Sequence, residues 1–153
     1  MFKFWLFLHF TGISIWVGAL LAVTFILLMM RKNLGSKESS TIVKKMTRVV
    51  NMLVHPSAFF VLISGVFMII SMNFGDASKP FYLNFMERFG GGAILFTIIA
   101  ISFVGRKLVK KLNAQEKDGH VIKHSSSLSN YIAMMLTSVA CVLATIFIVS
   151  FRF

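Results

Sequence analysis

The chain has 153 residues, 57% of them hydrophobic and 14% charged, with a formal net charge of +11 and a mean hydropathy of +0.82. This composition excludes a soluble globular domain and a disordered chain, both of which carry far less apolar residue. Four nearly uncharged stretches, 4–30, 49–72, 81–105 and 128–151, take up most of the sequence. Each can supply the roughly 20 helical residues that cross a bilayer, so any chemistry is expected in or beside a membrane. The expected fold is all-α: one integral membrane domain over 1–153, folded as an antiparallel four-helix bundle with short connections.

The first stretch is too long for the apolar region of a cleaved leader and has no small-residue cleavage site before Arg31 and Lys32, which makes it a retained helix. It carries His9, and an ionisable group inside a span is a functional candidate by default. At 1.5 Å per residue from Phe4, His9 sits roughly 8 Å inside the outer boundary. Gly12 and Trp16 follow at i+3 and i+7 on the same face, so a flat group can approach the backbone at Gly12 and stack near Trp16. The alternative is an imidazole bonded to a neighbouring helix.

The connection 31–48 is rich in Ser and Lys, and its second half, from Thr41 to Val50, has helical patterning that extends the second helix. Pro56 falls near the start of that helix, where a missing N–H costs least. His55 lies near the cytoplasmic end and His9 near the opposite face, about 20 Å apart at helical rise, so one iron cannot take both. His55 is expected as an interfacial or capping residue. Gly65, Met68 and Met72 share the depth of His9.

The segment 73–80 carries turn and helix-start signals, Gly75, Asp76, Ser78 and Pro80, and predicts a third helix from about Phe81. Met86, Glu87, Arg88 and three consecutive glycines, Gly90 to Gly92, open it; the glycines permit close helix contact. His9 with Met68, Met72 or Met86 forms a set that suits either a low-spin haem or Cu(I), since imidazole serves both and thioether is a soft ligand. Arg88 can pair with a haem propionate. Against this stands packing, the usual role of methionine in a membrane helix.

In the third connection, His120 and His124 at i, i+4 are read as part of a solvated loop. The fourth helix carries Tyr131, Met134, Ser138, Cys141 and Thr145, a weakly polar stripe of the kind that holds membrane helices together. The lone Cys141 cannot form an intramolecular disulfide. No Ser-His-Asp set, HExxH or Walker loop is present, which excludes the common hydrolytic and phosphoryl-transfer chemistries; no catalytic residue is assigned.

The basicity is distributed by topology. Arg31, Lys32, Lys37, Lys44, Lys45 and Arg48 lie in 31–48, and Arg106, Lys107, Lys110, Lys111, Lys117 and Lys123 in 106–127, against Lys3, Lys79, Arg88 and Arg152 elsewhere. The positive-inside rule makes 31–48 and 106–127 cytoplasmic and puts both termini outside. The expected partner of this charge is anionic membrane lipid and not nucleic acid.

The run Leu8-His9-Phe10-Thr11-Gly12-Ile13-Ser14-Ile15-Trp16-Val17-Gly18-Ala19-Leu20-Leu21 resembles the first helix of the CopD-like and HemJ-type membrane proteins, which share an LHxxxxxxWxGxL-like pattern. Met46, Arg48, Pro56 and Gly65 resemble the M-x-R…P…G spacing of their second helix. The resemblance implies a haem b ligand at His9. It also places Arg88 where the HemJ-type enzymes carry a lysine, and Arg88 stays protonated and cannot ligate iron. The RxxNE-like start of their fourth helix is missing around Ser126 to Tyr131. The expectation is therefore a small membrane cytochrome with a haem b in its outer half and Arg88 or Lys79 near the propionates, working in electron transfer or haem handling. The alternative is a copper-handling protein using His9, Met68, Met72 and Met86; a third reading is a non-catalytic membrane partner. A homodimer and an unnamed redox partner are compatible with each.

Overall fold

A computed structural model of the chain describes residues 1–31, 37–72, 80–118 and 125–151. They form four long helices: α1 (Phe2–Met30), α2 (37–72), α3 (81–118) and α4 (Ser125–Phe151). Among the described residues there is no strand. All four helices are long and apolar enough to cross a membrane. The expected turn at 73–79 and the residues Lys79, His120, His124 and Arg152 lie outside the described residues.

The helices follow from composition and not from capping. Met1 and Pro80 precede α1 and α3 without a side-chain cap. Pro80, in an extended conformation, accepts the N–H groups of Leu83 and Asn84 at 3.1 and 3.2 Å, so α3 starts where the turn signals placed it. On α1 the residues Trp16, Leu20, Val23 and Leu27 form one buried stripe at spacings of three and four. The opposite face, with Phe4, Phe7, Phe25 and Met29 exposed, is just as apolar. Exposed Phe59 and Phe60 on α2, Phe103 on α3 and Phe147 on α4 repeat the pattern. A helix apolar on all sides is one covered on all sides, by a membrane or by other protein.

Two helices reach further than expected, the extension of the second helix starting four residues before Thr41 and the third helix running past its apolar stretch. The basic segments 31–48 and 106–127 are helical for most of their length: α2 begins at Lys37 and α3 runs to Asp118. Charge ends an apolar span but does not end a helix, and these extensions bury Val43, Leu108 and Leu112 between them. Pro56 consequently lies inside α2 and not near its start. A π-helical turn, Val50–Val54, sits just before it, and the His55 N–H reaches back to the Val50 carbonyl. Widening the turn relieves the clash between a proline ring and the carbonyl four residues earlier. Two more π-helical turns, Met86–Gly90 and Thr97–Ile101, interrupt α3.

Each helix packs on two neighbours, α1 against α2 and α4, α3 against α2 and α4. At one end the bundle is closed: Leu27, Val50, Val54, Ile101, Leu128 and Tyr131 are buried with almost no exposure. Gly105 lets α3 approach α2 and α4 there, since a Cβ on it would come within 3.2 Å of Thr47 Cγ2 and Tyr131 Cε2. At the other end, around His9, the helices line a cavity that is partly open to the outside.

Candidate functional site

The cavity has a volume of about 420 Å³ and its wall is almost wholly apolar, within the range of small-molecule and cofactor pockets. His9, Trp16, Met68, Met72, Met86 and Glu87 line it, so three of the four helices contribute a chemically distinctive side chain. The fourth, α4, adds Thr145 and Ser150 among aliphatic residues.

His9 is held from one side. Its Nδ1 lies 3.0 Å from the Val61 carbonyl oxygen and 3.0 Å from Ser64 Oγ. A carbonyl can only accept, so Nδ1 carries the proton and donates it toward α2. The Ser64 hydroxyl donates to the Phe60 carbonyl at 2.6 Å, which leaves an oxygen lone pair for Nδ1. In the neutral ring Nε2 then holds the free lone pair. It makes no hydrogen bond among the described residues, and the ring forms part of the cavity wall. An imidazole whose Nδ1–H is fixed by a backbone carbonyl is the arrangement that orients a histidine as a metal ligand through Nε2.

Gly65 completes the seat of the ring. A Cβ there would stand 3.3 Å from His9 Cε1, so only glycine leaves the imidazole its full room. Deeper in the cavity, Trp16 is 2% exposed and its indole N–H is buried without a hydrogen-bond partner. A buried donor left unpaired costs about 1–3 kcal/mol; a ligand with an acceptor can offset that cost.

Two expected site residues stand elsewhere. Gly12 does not line the cavity, because α2 fills the place a flat group would take: a Cβ on Gly12 would meet Val61 Cγ2 at 2.7 Å and the Ser57 carbonyl at 3.3 Å. Its role is close packing of α1 on α2. Arg88 is exposed and does not line the cavity; its neighbours Glu87 and Gly90 do. The π-helical turn Met86–Gly90 carries all of these residues. The three glycines do not draw helices together, since only Gly90 has a neighbour for a Cβ, Thr145 Cγ2 at 3.6 Å, while Gly91 and Gly92 face open space.

His55 belongs to a separate place. It pairs through Nε2 with the Ser102 hydroxyl on α3. The register that sets His9 beside Val61 and Gly65 puts His55 six to ten residues away on α2, or about 9–15 Å of helical rise. That is nearer than expected and still too far to share one metal ion. Thr97 and Ser138 join α3 to α4, and Thr24 donates to Met135 Sδ at 3.5 Å between α1 and α4. Ser138 is thus a packing group, as its stripe implied.

Among the described residues no three His, Cys, Asp or Glu side chains gather as a metal site. The soft donors that do gather are the methionines. No family model matches the chain, and no curated protein and no solved structure matches it.

Proposed function

We propose that the chain is an integral membrane protein whose four helices cross the bilayer as an antiparallel bundle, with both termini outside, and that its cavity holds a haem b ligated by His9. The bilayer part of this reading rests on the apolar outer surface and the twelve cations of the two basic segments. Contacts of His9 with Ser64, Thr47 with Gly105, and Gly90 with Thr145 support the antiparallel order, because each joins the start of one helix to the far end of the next.

The observation that carries the haem reading is the one-sided fixation of His9: Nδ1 is spent on α2, Nε2 has no hydrogen bond among the described residues, and the residue lines an apolar cavity. The donor set suits iron: an oriented imidazole and, across the same cavity, thioethers at Met68, Met72 and Met86. Haem bound there would supply reversible one-electron exchange. The chain's own part is to orient the imidazole, exclude water with the apolar wall, and offer the Trp16 N–H to an acceptor on the bound group. The work proposed is electron transfer or haem handling in the outer half of the membrane.

The test is the absorption spectrum of protein made with haem available and purified in mild detergent, oxidised and then reduced, with metal analysis of the same sample. A Soret band with sharp reduced α and β bands is expected. A colourless, fully expressed protein overturns the reading. The methionines favour one second reading, Cu(I) handling through His9, Met68, Met72 and Met86. Copper bound by colourless protein, and lost on Met72→Leu, would establish it.

A further inference from the structure

A second, polar depression lies at the closed end of the bundle, between α2 and α3. It has a volume of about 350 Å³ and is lined by Thr47 and Asn51 from α2 and by Arg106, Val109, Lys110 and Asn113 from α3. Among the described residues no carboxylate lines it. Arg106, Lys110, Asn51 and Asn113 are exposed, while Thr47 forms its buried inner wall. Lys110 and Asn113 at a spacing of three, and Arg106 and Lys110 at a spacing of four, put two cations and an amide on one face of a helix.

We propose that this groove is the headgroup site of an anionic phospholipid. The inference rests on the reading of the four helices as membrane spans, which sets the groove at the cytoplasmic interface, but it is independent of haem. Two cations, with no acid among the described lining residues, match a phosphodiester: the planar guanidinium of Arg106 can hold two phosphate oxygens and the Lys110 ammonium adds a point charge. The Asn51 and Asn113 amides supply uncharged donors for ester and glycerol oxygens. The surface next to the groove decides between a lipid and a soluble anion. Three residues from Arg106, and so on the same face, Phe103 is 70% exposed, and the next turns toward the centre of the span expose Ile99 at 66% and Leu95 at 52%. A free phosphate needs no such surface, whereas acyl chains do.

Native mass spectrometry of the full chain in mild detergent, with phosphatidylglycerol or phosphatidylcholine of the same acyl length added, tests this. Phosphatidylglycerol is expected to be retained, and Arg106→Gln and Lys110→Gln are each expected to weaken its retention about fivefold. Lys45→Gln, an exposed cation of the same basic surface that does not line the groove, is expected to leave retention unchanged. Equal retention of the two lipids, or an equal loss in Lys45→Gln, overturns the site in favour of none or of diffuse attraction. Displacement of the lipid by inorganic phosphate at equal concentration overturns it in favour of a soluble anion. Carbonate extraction of the wild-type chain from membranes separates the two readings. Release of the chain sinks the spanning reading and the lipid site with it, whereas a retained chain without lipid selectivity sinks the groove alone.

Discussion

The two halves of the bundle treat a histidine in opposite ways. At the closed half, His55 reaches across to α3 and its Nε2 is consumed by Ser102, so the ring ties two helices together. In the open half, His9 turns Nδ1 to its nearest neighbour helix, its Nε2 has no hydrogen bond among the described residues, and the residue lines a cavity. The residues around them explain the difference. Bulky Val50, Val54, Ile101 and Tyr131 close the first half, with Gly105 allowing the helices to touch. In the second, Gly65, Gly90 and Gly91 line a space that no side chain fills. The same residue type is thus a tie where packing is complete and a free donor where packing stops short.

The largest expected effect comes from removing that free donor. On the proposed haem ligation, His9→Ala is expected to abolish the reduced α and β bands, and His55→Ala to leave them in place. Reduced-minus-oxidised spectra of the two variants, normalised to protein, make the comparison. Bands that survive in His9→Ala and vanish in His55→Ala would invert the assignment of the two halves.

Next in size is Gly12→Ala. The added methyl meets a β-branched side chain at 2.7 Å and a backbone carbonyl at 3.3 Å, neither of which yields easily. The expected loss of stability is about 1–3 kcal/mol, measured by unfolding in mixed detergent. Because Val61 both meets Gly12 and accepts from His9, the same variant is expected to disturb the cavity. Unfolding unchanged from wild type would mean that α1 and α2 are not so closely joined.

How far the sequence reaches is clearest at this contact. The apolar stretches, the place of His9 on α1, the presence of Met68, Met72 and Met86 around the same space and the start of α3 are all legible, because they depend on hydropathy, helical rise and turn chemistry. Gly12 is legible as a glycine on the His9 face but not as a packing surface, since spacing along one helix carries no information about how it is rotated against another. Ser64 is hidden by the hydropathy of its surroundings, although a lone hydroxyl within an apolar segment is a signal for a polar partner. The π-helical turns leave no trace in a period of 3.6. Each adds a residue to a turn and so rotates the remainder of its helix. The extension of α2 is legible from Thr41 by its patterning, four residues short of its start at Lys37, whereas the extension of α3 to Asp118 escapes a reading by hydropathy because charge marks only the end of the apolar part of a helix.

Ser64→Ala is expected to have a smaller effect, because the Val61 carbonyl still holds Nδ1. Loss of a second partner behind a metal-bound histidine typically costs at least about tenfold in affinity, and the low end is expected here. Titration of haem into depleted protein would measure it. Identical affinity would assign the whole orientation of His9 to the backbone carbonyl.

Ser102→Ala is expected to change least. It takes the partner from His55, whose Nδ1 is already buried without one, so intuition suggests a severe loss. Hydrogen bonds between membrane helices are nevertheless worth only about 0.6 kcal/mol on average, because the separated helices also find partners within the bilayer. A shift of that order in detergent unfolding, with the cofactor spectrum and affinity untouched, is the expected result. If Ser102→Ala instead stripped the cofactor, the closed half would be holding the open one in place, and His55 would have to be counted as a positioning residue for the cavity instead of a tie between α2 and α3.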